Sequence, residues 1–150
     1  VLAELLAHRA RSMTCVDISG PVLDAARQRL QPHQRVNFVR ADMNALPFAD
    51  ACYDQVFLMH ALPYARHPAQ VVREAARMLR PGGALLVATL LEHGHEVAVE
   101  SYDHVNQGIS IAALNAHMMA AGLQVAECQI ACREPKPPYF EVITALAHKL

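Results

Sequence analysis

Two acids and a histidine stand where apolar runs end, and that placement gives them chemical meaning. Asp17 closes the run Met13-Thr-Cys-Val-Asp-Ile18, which is rich in strand-forming residues. In nucleotide-binding α/β folds, an acid at the carboxyl end of such a strand accepts both hydroxyls of a ribose. Asp17 can equally be an ordinary strand-end acid, or a helix cap competing with Ser19. Asp42, next to Met43, follows the second apolar run in the same way. His60 comes directly after a third run, Asp54-Gln-Val-Phe-Leu-Met59. Its unperturbed pKa near neutrality suits it to act as a general base.

A further set crowds the segment after the apolar stretch Ala84 to Leu91: His93, His95 and His104, with Glu92, Glu96, Glu100, Tyr102 and Asp103. The set reads either as lining for a substrate pocket or as an exposed polar loop. His93 and His95, two residues apart, could chelate from an extended loop. No His-Glu-x-x-His or comparable spacing accompanies them, so no metal is expected.

These residues need a scaffold, and the pattern of apolar residues supplies one. Residues 1–9 have Leu2, Leu5 and Leu6 on one helical face. Ser19 and Pro21 open a second helix with the stripe Val22, Leu23, Ala26 and Leu30, closed by Pro32. A strand at residues 35–40 and a loop at 41–48 follow. The third run is apolar on both faces and reads as a central parallel strand. His67 and Pro68 open a helix carrying Val71, Val72, Ala75, Ala76 and Leu79. Leu79-Arg-Pro-Gly-Gly83 reads as its stop, before a fourth strand at 84–91.

Strands alternating with helices imply βαβ units and a parallel sheet, helices on both faces. The end differs. Ser110 caps a helix with Ile111, Leu114, Met118 and Ala121, and Gly122 follows it. Residues 123–132 and 139–146 bracket Arg-Glu-Pro-Lys-Pro-Pro with no helix between, so they must pair antiparallel.

Composition narrows the function. The chain has 150 residues, 53% hydrophobic and 18% charged, which suits one packed domain rather than a disordered segment. A net charge of −1 gives no electrostatic footprint for nucleic acid or acidic membranes. No apolar run approaches the roughly 18–20 residues that span a bilayer, and no signal peptide stands out, so the expected compartment is the cytoplasm. Cys15, Cys52, Cys128 and Cys132 lack a paired spacing and read as free, buried thiols. The chain opens at Val1 inside an apolar-periodic segment, and the reading expects sequence upstream of it.

Val16-Asp-Ile-Ser, Arg40-Ala-Asp-Met43, Leu46-Pro-Phe-Ala-Asp50, Tyr53-Asp-Gln-Val56 and Leu79-Arg-Pro-Gly-Gly83 occur in that order. The ordered set resembles Class I S-adenosylmethionine-dependent methyltransferases of the type 11 group, over nearly the whole chain. The resemblance implies a doubly wound, mostly parallel, Rossmann-like sheet of the seven-stranded methyltransferase type, ending in an antiparallel hairpin. It implies a single methyltransferase domain at 1–150 that lacks the family's first strand and glycine-rich loop, and with them the backbone that approaches the methionine part of the cofactor. A fragment without that strand is expected to be marginally folded and to bind cofactor poorly.

The resemblance assigns the cofactor side to Asp17, Ile18, Asp42, Met43, Met59 and His60. Asp42 would accept from the adenine amine, Met43 would pack on the ring, and Met59 and His60 would line the methionine moiety, His60 being the catalytic candidate. Tyr64, His93, His95 and Tyr102 would line the pocket of a small-molecule acceptor. His93-Gly-His and Tyr102-Asp-His-Val-Asn-Gln-Gly-Ile-Ser110, with Pro137-Pro-Tyr-Phe-Glu-Val142, resemble methyltransferase domains fused behind bacterial ArsR-type winged-helix regulators. That likeness implies an N-terminal DNA-binding domain in the parent protein, while this domain itself contacts neither nucleic acid nor membrane.

Two other functions compete. An NAD-type dehydrogenase would also place an acid at Asp17, but Asp42-Met43, the Pro-Gly-Gly segment and the terminal hairpin speak against it, and no Tyr/Lys or His/Arg set stands out. A non-catalytic domain that senses S-adenosylmethionine or another metabolite for a transcriptional regulator fits the same residues.

Overall fold

The computed structural model describes residues 2–150; Val1, the first position of the expected opening helix, lies outside them. The chain divides into two compact units, Val1–Pro47 and Phe48–Leu150.

The first unit contains helix α1 (Leu2–Ala7), strand β1 (Met13–Asp17), helix α2 (Gly20–Leu30) and strand β2 (Val36–Arg40). β1 and β2 run parallel, paired from Met13 opposite Val36 to Asp17 opposite Arg40. A parallel pair needs a crossover, and α2 provides it. Ser19 starts that helix as expected: its hydroxyl accepts from the Val22 N–H at 3.4 Å, with Pro21 in the first turn. Only Leu23 and Leu30 of the expected stripe are buried, and Val22 is 52% exposed. The reason is spacing: residues seven apart return to one narrow face of a helix. The Arg27 guanidinium lies 5.4 Å from the centre of the Phe38 ring and covers part of the pair.

The second unit begins with strand β3 (Tyr53–Met59) and a 3₁₀ turn (Leu62–Tyr64), then helix α3 (Pro68–Met78) and strand β4 (Leu79–Leu90). Helices α4 (Glu96–Ser101) and α5 (Ile111–Ala120) and strands β5 (Leu123–Arg133) and β6 (Glu141–Lys149) complete it. The sheet is mixed, in the order β3-β4-β6-β5. β3 and β4 are parallel, while β6 is antiparallel to both of its neighbours. The antiparallel pairing expected of the last two strands is therefore present, with β6 inserted beside β4. The core is built from Val71, Val72, Ala75 and Ala76 of α3, Leu85 and Val87 of β4, Leu114 and Met118 of α5, and Ile143 of β6, all nearly inaccessible. Each of these valine, leucine, isoleucine and methionine side chains contributes about 1.5–3 kcal/mol of transfer free energy, and each alanine less.

The structure corrects the sequence reading at four places. β4 begins at Leu79, so Pro81-Gly82-Gly83 is a bulge inside the strand: Tyr53 pairs with Leu79, and Gln55 already pairs with Ala84. A Cβ at Gly83 would lie 2.8 Å from the Arg80 carbonyl oxygen and 2.9 Å from that of Asp54, so only glycine fits the bulge. Glu96–Ser101, read as loop, is the short helix α4. β3, read as central, has β4 as its one partner among the described residues, and of its residues only Leu58 is buried. The thiols are free, but Cys15, Cys52 and Cys128 are half-buried and Cys132 is exposed. Among the described residues no helix is long and apolar enough to cross a membrane.

Candidate functional site

In the first unit the candidate residues collect at the carboxyl ends of β1 and β2, because parallel pairing in register brings Asp17 opposite Arg40. Arg40 Nε donates to the Ile18 carbonyl at 2.8 Å, and the Ala41 N–H donates to the Asp17 carbonyl at 3.2 Å. These bonds hold the segments leaving the two strands side by side. Asp17 is half-buried, and its Oδ1 accepts from the Ser19 N–H at 2.8 Å. Ile18 projects with 63% exposure. The exposed Asp42 carboxylate accepts at Oδ1 from both the backbone N–H and the side-chain amide of Asn44, each at 2.8 Å. Those two bonds, the backbone one first, hold its pKa below the ordinary carboxylate value. Met43 beside it is half-buried.

The remaining candidates belong to the second unit. Met59 ends β3 with 39% exposure. His60 follows it in the left-handed region, φ 51°, with its N–H donating to the Ala88 carbonyl at 2.7 Å. A bulky residue with positive φ costs on the order of 1 kcal/mol and marks a position that its surroundings over-determine. Tyr64 closes the 3₁₀ turn and packs edge-on against His104, ring centres 5.0 Å apart. His104 is stacked in turn with Tyr102 at 5.7 Å. Tyr102 reaches Phe140, and Phe140 reaches both His93 at 4.6 Å and His95 at 5.8 Å. Tyr64, His93, His95 and Tyr102, the residues expected on the acceptor side, thus join one imidazole and aromatic cluster, linked through His104 and Phe140.

A short staple holds the cluster. Asn106 Nδ2 donates to the Leu62 and Ala65 carbonyls at 2.8 and 2.9 Å, and its Oδ1 accepts from the Gly108 N–H at 2.9 Å. The Val105 N–H donates to the Pro63 carbonyl at 2.9 Å. Gly108 sits at φ +81°, where a Cβ would fall 2.5 Å from the Leu91 carbonyl oxygen. The loop can therefore run against the end of β4 only because that residue is glycine.

Sequence reasoning noted His104 as one of a group and missed Asn106, Gly108 and Phe140. An Asn two residues before a Gly is an Asx-turn signal, so the staple was detectable. Phe140 carried no local signal, since strand pairing alone brings it to the histidines.

Burial disfavours the protonated form of two of the histidines. Burial lowers the His93 pKa, and the neighbouring His95 and His104 lower it further. Burial also lowers that of His104, with Asp103 opposing the shift and His60 adding to it. His93 Nδ1 accepts from the His95 N–H at 3.2 Å, so in the neutral ring the proton belongs on Nε2. That Nε2 and His104 Nδ1 are buried and have no hydrogen-bond partner. His93, His95, Tyr139 and Phe140 also line a cavity of about 350 Å³, with Glu92 and Glu141 on its wall. Among the described residues no three His, Cys, Asp or Glu side chains are grouped to hold a metal ion.

Acids at the carboxyl ends of parallel strands stand where open α/β sheets take their ligands. A family profile described as a methyltransferase domain matches residues 1–87. The chain belongs to that family and is a methyltransferase domain of the S-adenosylmethionine-dependent class.

Over 97% of its length the chain is 30% identical to the biotin biosynthesis bifunctional protein BioHC of Cellvibrio japonicus, and it spans 29% of that protein. It is 30% identical over 85% of its length to the 27-O-demethylrifamycin SV methyltransferase of Amycolatopsis mediterranei, spanning 51% of that enzyme. Among solved structures, the N-methyltransferase NodS of Bradyrhizobium japonicum, in complex with S-adenosyl-L-homocysteine, matches with a TM-score of 0.80 at 16% identity. The match covers 99% of this chain and 72% of NodS.

Proposed function

We propose that the protein transfers a methyl group from S-adenosylmethionine to a small-molecule acceptor. One observation carries the reading. Asp17 and Asp42 stand at the carboxyl ends of adjacent parallel strands, and each commits one carboxylate oxygen, Oδ1, to a local backbone N–H. The donors fix the side chains, and the second oxygen of each remains available to a ligand. This donor set fits an adenosine: Asp17 Oδ2 for ribose hydroxyls, the ionised Asp42 for the adenine amine, with Ile18 and Met43 offering apolar surface.

In the second unit Met59 and His60 would line the methionine moiety, and Tyr64, His93, His95 and Tyr102 the acceptor. The bound cofactor would supply a sulfonium methyl group open to in-line attack, for which the protein's task is chiefly proximity and orientation. His60 is the candidate for holding an acceptor proton.

The finer architecture belongs to the same proposal: one domain with a doubly wound, seven-stranded type of sheet, whose first strand and glycine-rich loop come from sequence upstream of Val1. The chain spans 29% and 51% of the length of the two relatives named above. A winged-helix domain ahead of it, a cytoplasmic location and the lack of nucleic-acid or membrane contact by this domain are proposed on sequence grounds alone.

The test is calorimetry on the intact protein. S-adenosylhomocysteine should bind, and Asp17→Ala should weaken it by about 1–3 kcal/mol. Unchanged affinity in the variant would remove Asp17 from the ribose site. Binding without transfer to any acceptor would favour the sensing role.

A further inference from the structure

Two imidazole nitrogens of the aromatic cluster, His93 Nε2 and His104 Nδ1, are buried without a hydrogen-bond partner. Burying a polar atom without a partner costs roughly 1–3 kcal/mol, so a ligand that supplies the partner recovers that cost. His104 Nδ1 is the more telling of the two. Its ring lies against two tyrosines that are themselves 49% and 54% exposed, Tyr64 and Tyr102. Both tyrosines are thus open to solvent, so a ligand ring can compete with them for the imidazole.

We propose that His104 takes the proton from a neutral, hydroxyl-bearing aromatic acceptor, whose ring replaces a tyrosine ring against the imidazole. The proposal rests on the methyltransferase reading and names its substrate class. An aromatic ligand recovers the offset or edge contact that the displaced tyrosine gives up. Its hydroxyl can donate to Nδ1 and relieve the missing bond.

The charges around His104 choose among acceptors. Asp103 and His60 are the charged or titratable groups that act on it, and His93, His95 and His104 face one another beyond. An ammonium acceptor would add positive charge beside His93 and His104, whose protonated forms burial already disfavours. A carboxylate acceptor arrives deprotonated and needs no base. A phenol, with an ordinary pKa near 10, arrives protonated and needs one. In the balanced step the oxygen–methyl bond forms as the sulfur–methyl bond breaks. The O–H proton passes to His104 Nδ1, the ring becomes imidazolium, and the sulfonium leaves as a neutral thioether. His104, half-buried and with protonation disfavoured by burial, takes this role in place of His60, which is exposed.

Catechol is the probe, with anisole and benzylamine as controls, added to the intact protein while the histidine ring protons are followed by NMR. Catechol should shift His104, and both controls should bind at least tenfold more weakly. His104→Phe keeps a flat ring but removes the nitrogen, and should weaken catechol at least tenfold. With methyl donor present, kcat/KM for catechol should fall on acidification with a midpoint below 6.5, the ordinary histidine value. Equal affinity for catechol and anisole, or no shift at His104, overturns the proposal even if the variant fails to fold. Undiminished catechol binding in a folded His104→Phe does the same. S-adenosylhomocysteine binding measured on the same sample separates the two claims: its presence with catechol unbound defeats this proposal alone, and its absence defeats the methyltransferase reading.

Discussion

Asn106 makes three hydrogen bonds to backbone groups with one side chain, two as donor and one as acceptor. Replacing it with alanine leaves the Leu62 and Ala65 carbonyls and the Gly108 N–H to find water, so Asn106→Ala should lower stability by about 1–3 kcal/mol. A urea melt should show a lower midpoint at unchanged slope. A variant as stable as the parent would mean that the staple does not hold the loop. His93 and His104 make a pH-dependent contribution. Both have folded-state pKa values below the ordinary 6.5, so the unfolded chain binds their protons more readily. Their share of stability is complete above about 6.5 and declines as the pH falls below it. The melting temperature should therefore drop less between neutral and mildly acidic pH in a His93→Gln, His104→Gln double variant than in the parent. An equal drop would place the acid sensitivity elsewhere. At this scale the sequence was informative where one residue's chemistry depends on its neighbours along the chain, as with Asp17 and Ser19 at the start of α2. It was silent on Phe140 and on the orphaned nitrogens, which depend on packing between distant segments.

Elements were legible wherever caps and periodicity agreed. Ser19, Pro68 and Ser110 all begin helices as expected, and Gly122, at φ +80°, follows the helix that Ala121 caps. Two readings failed for physical reasons. Pro-Gly-Gly is a breaker in isolation, yet parallel pairing with β3 continues across it and turns the glycines into a bulge. The apolar sequence of β3 suggested burial on both faces, but burial depends on what covers a strand, and only Leu58 is covered. Ser19 gives a direct check on the caps. Ser19→Ala should cost about 0.5–2 kcal/mol through loss of the bond to the Val22 N–H, read from the amide exchange of α2. Unchanged exchange would mean that Pro21 alone starts the helix.

For the molecule as a whole, apolar burial is uneven between the units. Val1–Pro47 holds two of the buried hydrophobic side chains among the described residues, Leu23 and Leu30, and the rest lie in Phe48–Leu150. A two-stranded sheet with so little cover is marginal by itself. Amides of β1 and β2 should therefore exchange with solvent at least tenfold faster than those of β4 and β6, and equal protection would show that the units unfold together. A ligand bound at Asp17 and Asp42 should slow exchange in the first unit, since binding to the folded form stabilises it by mass action. This links the uneven stability to the function. The most direct measurement is an amide NMR map of the intact protein titrated with S-adenosylhomocysteine. The methyltransferase reading predicts saturable shifts at residues 17–19 and 42–44. Shifts absent from both segments at saturation, or no binding at all, would contradict it.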